Sequence, residues 1–226
     1  MDDSTLKKQL RITVSKNGPY LVSGEVPIAE QTIVTDDAGD SVGWRQGKEY
    51  DPKSSCALCR CGHSKNKPYC DGSHVKAGFD GTETASRAPY REQARTMEGP
   101  AIVLTDAEDL CAAARFCDRA RGIWALVHDS DDPTSKAIAI QEAKDCPSGR
   151  LVVWNEDGTP IEPTFEPSIG VVEGPEIGVH GPLWVRGGIP VVSNDGATYE
   201  VRNRVTLCRC GRSRNMPFCD GSHAAG

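Results

Sequence analysis

Leu10-Arg11-Ile12-Thr13-Val14 alternates apolar and polar residues, which predicts a short strand with one buried face, because strand side chains point to opposite sides in turn. Tyr199-Glu200-Val201-Arg202-Asn203 alternates in the same way and predicts another. Leu151-Val152-Val153-Trp154 is an apolar run of strand length. Gly18-Pro19-Tyr20-Leu21-Val22-Ser23-Gly24 and Gly181-Pro182-Leu183-Trp184-Val185-Arg186-Gly187 are apolar segments bounded by turn residues and read as hairpin strands. Residues 30–55 are polar and predict a loop. Helical signals fall in the middle third. Thr105 and Glu108 form a capping box opening a helix through Leu110-Cys111-Ala112-Ala113-Ala114-Arg115-Phe116-Cys117. A second helix is expected over residues 135–144, after Pro133. With 23 Gly and 15 Pro, turns and short strands should outnumber long helices.

The cysteines change the picture. Six of the ten, with two of the five histidines, form two sets at one spacing. Cys59-Arg60-Cys61-Gly62-His63-Ser64-Lys65-Asn66-Lys67-Pro68-Tyr69-Cys70-Asp71-Gly72-Ser73-His74 matches Cys208-Arg209-Cys210-Gly211-Arg212-Ser213-Arg214-Asn215-Met216-Pro217-Phe218-Cys219-Asp220-Gly221-Ser222-His223. Coincidence over this length is not credible, so the chain contains an internal repeat. Gly18 matches Gly181 at an offset of 163, whereas Cys59 matches Cys208 at 149. The first copy therefore carries 14 extra residues, within 30–55.

Three thiolates and an imidazole suit a mononuclear zinc or an iron–sulfur cluster. Zinc knuckles usually space paired cysteines by two to four residues, and here one intervenes. A 2Fe-2S cluster needs two ligands on each iron, which a Cys-x-Cys pair and a Cys-x3-His pair would supply. Spacing alone leaves both open. Both windows, however, resemble the CDGSH iron–sulfur family, whose pattern Cys-x-Cys-x2-Ser/Thr-x3-Pro-x-Cys-Asp-Gly-Ser/Ala/Thr-His is met at every position. The resemblance implies one 2Fe-2S cluster on Cys59, Cys61, Cys70 and His74, and a second on Cys208, Cys210, Cys219 and His223. Family members are homodimers with one motif per chain, so this chain resembles an intramolecular version of that dimer. Each copy alone is too short to bury a core, and the strands before the two motifs are expected to exchange into one pseudo-twofold cap.

Between the copies, strand, Cys-bearing helix, second helix, Cys146-Pro147-Ser148-Gly149 and strand resemble a divergent single-cluster ferredoxin. The pattern departs from a bacterial ferredoxin run in that Ala114 stands where the second cysteine belongs. Cys111, Cys117 and Cys146 suit a third cluster, 3Fe-4S ahead of 4Fe-4S with an outside ligand, or else three buried free cysteines. The expected fold is α+β: two β-rich repeats, residues 1–85 and 161–226, forming a pseudo-dimer, with a ferredoxin-like α+β domain over 86–160.

Charge bears on partners. The net charge of −6 lacks the footprint of a nucleic-acid binder. The longest apolar runs, such as Ile123-Trp124-Ala125-Leu126-Val127, are far short of the ~20 residues of a membrane span, so no membrane partner is expected. Met1-Asp2-Asp3-Ser4 is acidic without an apolar core, which argues against a secretory leader and for the cytoplasm. Arg60, His63, Lys65 and Lys67 flank the first motif, and Arg209, Arg212 and Arg214 the second. Such cations favour the reduced state of a cluster and steer acidic partners, or form a plain solvated face. Cys56 has Val205 at its counterpart and reads as a spare thiol, and His63, opposite Arg212, is no ligand. His128 and His180 are ordinary histidines, and Tyr69 and Phe218 packing aromatics. With no catalytic dyad, the chain is expected not to be an enzyme. Its expected role is electron transfer as a monomer with redox-protein partners. The alternative is storage and pH-linked transfer of clusters to acceptor proteins.

Overall fold

The two main sheets are each completed by a strand supplied from far away in the chain. The computed structural model describes residues 10–174 and 180–225, and the acidic Met1-Asp2-Asp3-Ser4 lies outside them. In chain order the strands are β1 (Arg11–Val14), β2 (Tyr20–Ser23), β3 (Ile28–Thr35), β4 (Ser41–Tyr50), β5 (Ser55–Leu58), β6 (Arg95–Glu98), β7 (Val103–Asp106), β8 (Leu151–Trp154), β9 (Ser168–Glu173), β10 (His180–Arg186), β11 (Val191–Val192) and β12 (Arg204–Leu207). The helices are α1 (Ser73–Lys76), α2 (Tyr90–Gln93), α3 (Ile123–His128) and α4 (Pro133–Asp145).

Two sheets are built on one plan. The first runs β11-β1-β2-β5 and the second β12-β10-β9-β3-β4. In each, an antiparallel trio from one copy takes a parallel strand from the other: Ile12 lies opposite Val191, and Ile169 opposite Ile28. The offset of 163 carries Ile28 onto Val191, so the exchanged strands are the equivalent ones. The exchange expected from the repeat is present. Its cause is packing, since Ile12, Val14, Tyr20, Val22 and Leu58 share one apolar cluster with Ile169, Leu183, Val185, Val191 and Leu207.

At the centre of the pseudo-twofold, Cys61 and Cys210 pair as an antiparallel bridge. A Cβ on Gly62 would lie 2.6 Å from the Cys210 carbonyl oxygen, and one on Gly211 2.6 Å from that of Cys61. Both glycines also have positive φ, 81° and 76°. Strain of the left-handed backbone and the overlap together should make Gly211→Ala about 2–4 kcal/mol less stable. A urea midpoint equal to that of the parent chain would show that the two halves do not cross this closely.

Four expectations need correction. Residues 30–55 are not a loop: most of them form the β3–β4 hairpin, closed by a turn in which the Asp36 carboxylate accepts from Ala38 N and Asp40 N. Polar Gln31 and Thr32 hid it, because the strand is polar yet half-buried. Residues 199–203 alternate in sequence but not in burial, since Tyr199 is buried while Val201, two residues on, is exposed; they have no ladder partner, and the strand starts at Arg204. No helix runs through 110–117. Thr105 is fully buried in the central strand of the β6-β7-β8 sheet, and its Oγ1 meets Tyr90 Oη and accepts from Trp154 Nε1 rather than capping. Beyond it come two short 3-10 turns, Glu108–Leu110 and Phe116–Asp118, around a loop in which Ala113 and Arg115 have positive φ. Last, α4 starts two residues earlier than expected, where Asp132 caps Ser135 N at 2.8 Å and Pro133 occupies the first turn.

Candidate metal centres

Each cysteine loop hangs from the end of a strand. After β5, Cys59 N donates to Pro68 O (2.7 Å) and Cys70 N to Ala57 O (2.8 Å); after β12, Cys208 N donates to Pro217 O and Cys219 N to Thr206 O, both 2.9 Å. Pro68 and Pro217 are both cis. The hydroxyl of Ser64 donates to Tyr69 O at 2.6 Å, as Ser213 does to Phe218 O at 2.7 Å. The Asp71 carboxylate accepts from Lys65 N and Ser73 N, and Asp220 from Arg214 N and Ser222 N. These bonds hold Asp71 well below the usual carboxylate range. With Gly72 and Gly221 at positive φ, the Asp-Gly turn aims one backbone N–H at the sulfur before it, 3.4 Å away in both copies.

The ligand atoms fall in pairs. Cys59 Sγ and Cys61 Sγ are 3.8 Å apart, Cys70 Sγ and His74 Nδ1 3.4 Å. Cys208 Sγ and Cys210 Sγ are 3.7 Å apart, Cys219 Sγ and His223 Nδ1 3.4 Å. Two tetrahedral ligands at about 2.3 Å (S) or 2.0–2.1 Å (N) from one metal would lie about 3.5–3.8 Å apart. Each pair thus has the bite of one tetrahedral metal. Among the described residues, no group of three His, Cys, Asp or Glu converges on a single ion.

Burial loads the thiols with protons. It pushes Cys61 up and takes Cys219 to about 12. Cys208 and Cys210 share one proton: Cys210 is brought to about 6 by the bond from Cys208, helped by the Arg212 N–H, and Cys208 rises in turn. A full thiolate set therefore forms only as metal displaces protons.

Arg60 and Arg209, central in each Cys-x-Cys, are buried and not part of a basic surface. Arg60 donates to Gly81 O (2.6 Å) and Ser15 O (3.3 Å) and, among the described residues, pairs with no carboxylate. Arg209 donates to Val172 O and Gly181 O and forms an ion pair with Glu173 at 3.0 Å. Tyr20 also breaks the symmetry: its buried hydroxyl lies 2.8 Å from Cys208 O and 2.9 Å from Pro217 O, whereas Leu183 occupies the equivalent place. The matched arginines were visible as a repeat, but nothing in the sequence marked them as interior.

The middle cysteines are gathered too. Cys111, Cys117 and Cys146 line one small pocket, open at its mouth, together with Ala113, Ala114 and Arg150. Burial, then the Cys146 and Asp118 charges, push Cys117 to about 12. Arg150 is clamped by Asp106 through two bonds of 2.6 and 2.8 Å, and Trp124 Nε1 donates to the same carboxylate. The extra hairpin has a use here. Trp44 on β4 stacks on Phe116 (5.0 Å), meets Trp184 (4.7 Å) and donates to Asp145 O, fixing the loop between Cys111 and Cys117 from below. Ala114 is buried in that aromatic group. Cys56 is a half-buried strand residue raised by burial, His63 and His128 are exposed, and His180 meets Glu173 at 2.7 Å.

A family model described as iron-binding zinc finger, CDGSH type, matches residues 17–75 and again 180–224. One described as divergent 4Fe-4S mono-cluster matches residues 97–156 between them. No curated protein and no solved structure matches the chain. Among the described residues no helix is long and apolar enough to cross a membrane.

Proposed function

We propose that this chain, which carries two CDGSH-type iron-binding regions around a divergent 4Fe-4S-type region, is an electron-transfer protein. Its 2Fe-2S clusters sit on Cys59, Cys61, Cys70 and His74 and on Cys208, Cys210, Cys219 and His223. The observation that carries this is the division of each ligand set into two pairs, each with the bite of one metal, with no three ligands on one ion. A single zinc would need all four donors converging, whereas two bridged irons need two and two. Such clusters supply reversible one-electron chemistry, and the protein holds them still for it. Ser64, Asp71, Ser213 and Asp220 are engaged in backbone bonds within the loops, not in a hydrolytic constellation. That supports a role that is not enzymatic.

Cys111, Cys117 and Cys146 hold the third cluster, of the 3Fe-4S type that three thiolates fit. Iron and sulfide analysis of anaerobically purified protein should give about seven irons per chain, with spin-resonance signals of two 2Fe-2S centres on reduction. Four irons would remove the middle cluster only; zinc in place of iron and sulfide would overturn the whole reading. Cluster delivery is the second reading. It is favoured by the first loop, where His74 neighbours Val75, 74% exposed, so that an acceptor could reach the ligands.

A further inference from the structure

The three sites are not equally placed. Gly72 in the first loop has nothing within 4 Å of where its Cβ would be. Its counterpart Gly221 abuts the middle domain: a Cβ there would lie 3.3 Å from Ala113 Cβ and 3.3 Å from Cys111 O. Asn215 of the same loop donates to Asp109 O at 2.8 Å. The second loop is therefore seated on the backbone that carries Cys111, next to its own Cys219. On its other side it meets the first loop through the Cys61–Cys210 bridge. We propose that the two CDGSH sites have successive roles: the second loop is an internal relay between the Cys111 site and the first loop, and the first is the terminal station open to a partner. This rests on the reading that all three sites hold iron–sulfur clusters.

Direction comes from the buried arginines. Reduction adds negative charge, which a nearby unneutralised cation stabilises. Among the described residues Arg60 at the first site makes no direct ion pair and feels only the solvent-exposed Asp80 carboxylate, whereas Glu173 pairs directly with the buried Arg209 at the second, 3.0 Å away. Arg212, also at the second site, is exposed and screened by water, so the buried Arg60 leaves the first site the easier to reduce, and an electron runs downhill from second to first. Each step moves one electron: the giving site is oxidised by one, the receiving site reduced by one, and no bond forms or breaks. A one-electron donor protein fills the middle site through its open pocket. A one-electron acceptor with an acidic face takes the electron at the exposed Lys65, Lys67 and Lys76.

The test uses the full reconstituted chain, reduced with dithionite, with His74→Cys separating the first site's spin-resonance signal from the second's. Removing the middle cluster with Cys111→Ser should slow spin relaxation of the second-site signal severalfold and leave the first unchanged. An equal response at both sites, a response at the first alone, or none would overturn the relay. Glu173→Gln should raise the second site's potential, so that the ratio of reduced first to reduced second site at fixed poise falls about tenfold. A ratio that is unchanged or rises would overturn the direction. His180→Gln, which removes the other partner of Glu173, should leave that ratio as it was. The underlying reading fails differently. About four irons per chain, with no middle signal to remove, would defeat it and the relay together, whereas seven irons with the wrong responses would defeat the relay alone.

Discussion

Expressed alone, residues 160–226 should unfold or self-associate. The fragment would leave β11 without β1 and β9 without β3, exposing two ladder edges at once. It would also lose Ile12, Val14, Tyr20, Val22, Val26, Ile28 and Leu58 from the shared core. At about 1.5–3 kcal/mol for each buried side chain, that is roughly 10–20 kcal/mol, as large as the whole stability of a typical domain. Two copies of the fragment could restore the pairing by exchanging β11 with one another, so a concentration-dependent dimer is the expected folded form. Sedimentation would decide: a stable monomer that still bound its cluster would show that each repeat folds independently.

Acid should strip the two CDGSH sites in order, the first before the second. Metal and proton compete for the same imidazole nitrogen, so a histidine ligand is lost as it becomes protonated. Burial, then the Arg209 and Arg212 charges, hold His223 below the ordinary imidazole range, so its competing protonation begins only at lower pH. The first loop has no such cover, with Gly72 and Val75 exposed. Absorbance lost on stepping to pH ~5.5, below the usual imidazole pKa of ~6.5, should therefore fall in two phases, the faster belonging to the first site. His74→Cys should remove the fast phase and lower that site's potential, because thiolate donates more charge than imidazole. If the His74→Cys, His223→Cys double variant bleached as fast as the parent, proton-linked release at histidine would be wrong.

The motif geometry was legible because it is local and written twice. A residue that must hold a turn, such as Asp71, has the same backbone donors at Asp220, and the repeat pointed to an exchange of strands between the copies, though not to the polar β3 that makes it. What failed depended on distant partners. The alanine-rich stretch 112–114 has good helical propensity, but the loop winds through positive φ at Ala113 and Arg115 to bring Cys111 and Cys117 to one pocket, and the aromatic group under Ala114 holds it there. Trp44 comes from a hairpin in another repeat, a contact no local pattern could announce. The segment 199–203 had a strand's alternation without a strand to lie beside, and its inward side chains instead meet Glu83, through Tyr199, and the Tyr90 ring, through Arg202.

The pairing of Tyr20 with the second site, against Leu183 at the mirrored place, has a consequence for inheritance. In a dimer of identical chains every codon is read into both sites, so neither can change without the other. Here each site has its own codons, so one can change while its counterpart keeps its sequence. Tyr20→Phe, for instance, deletes the hydroxyl that lies against Cys208 O and Pro217 O at the second site, while the mirrored Leu183 stays as it is.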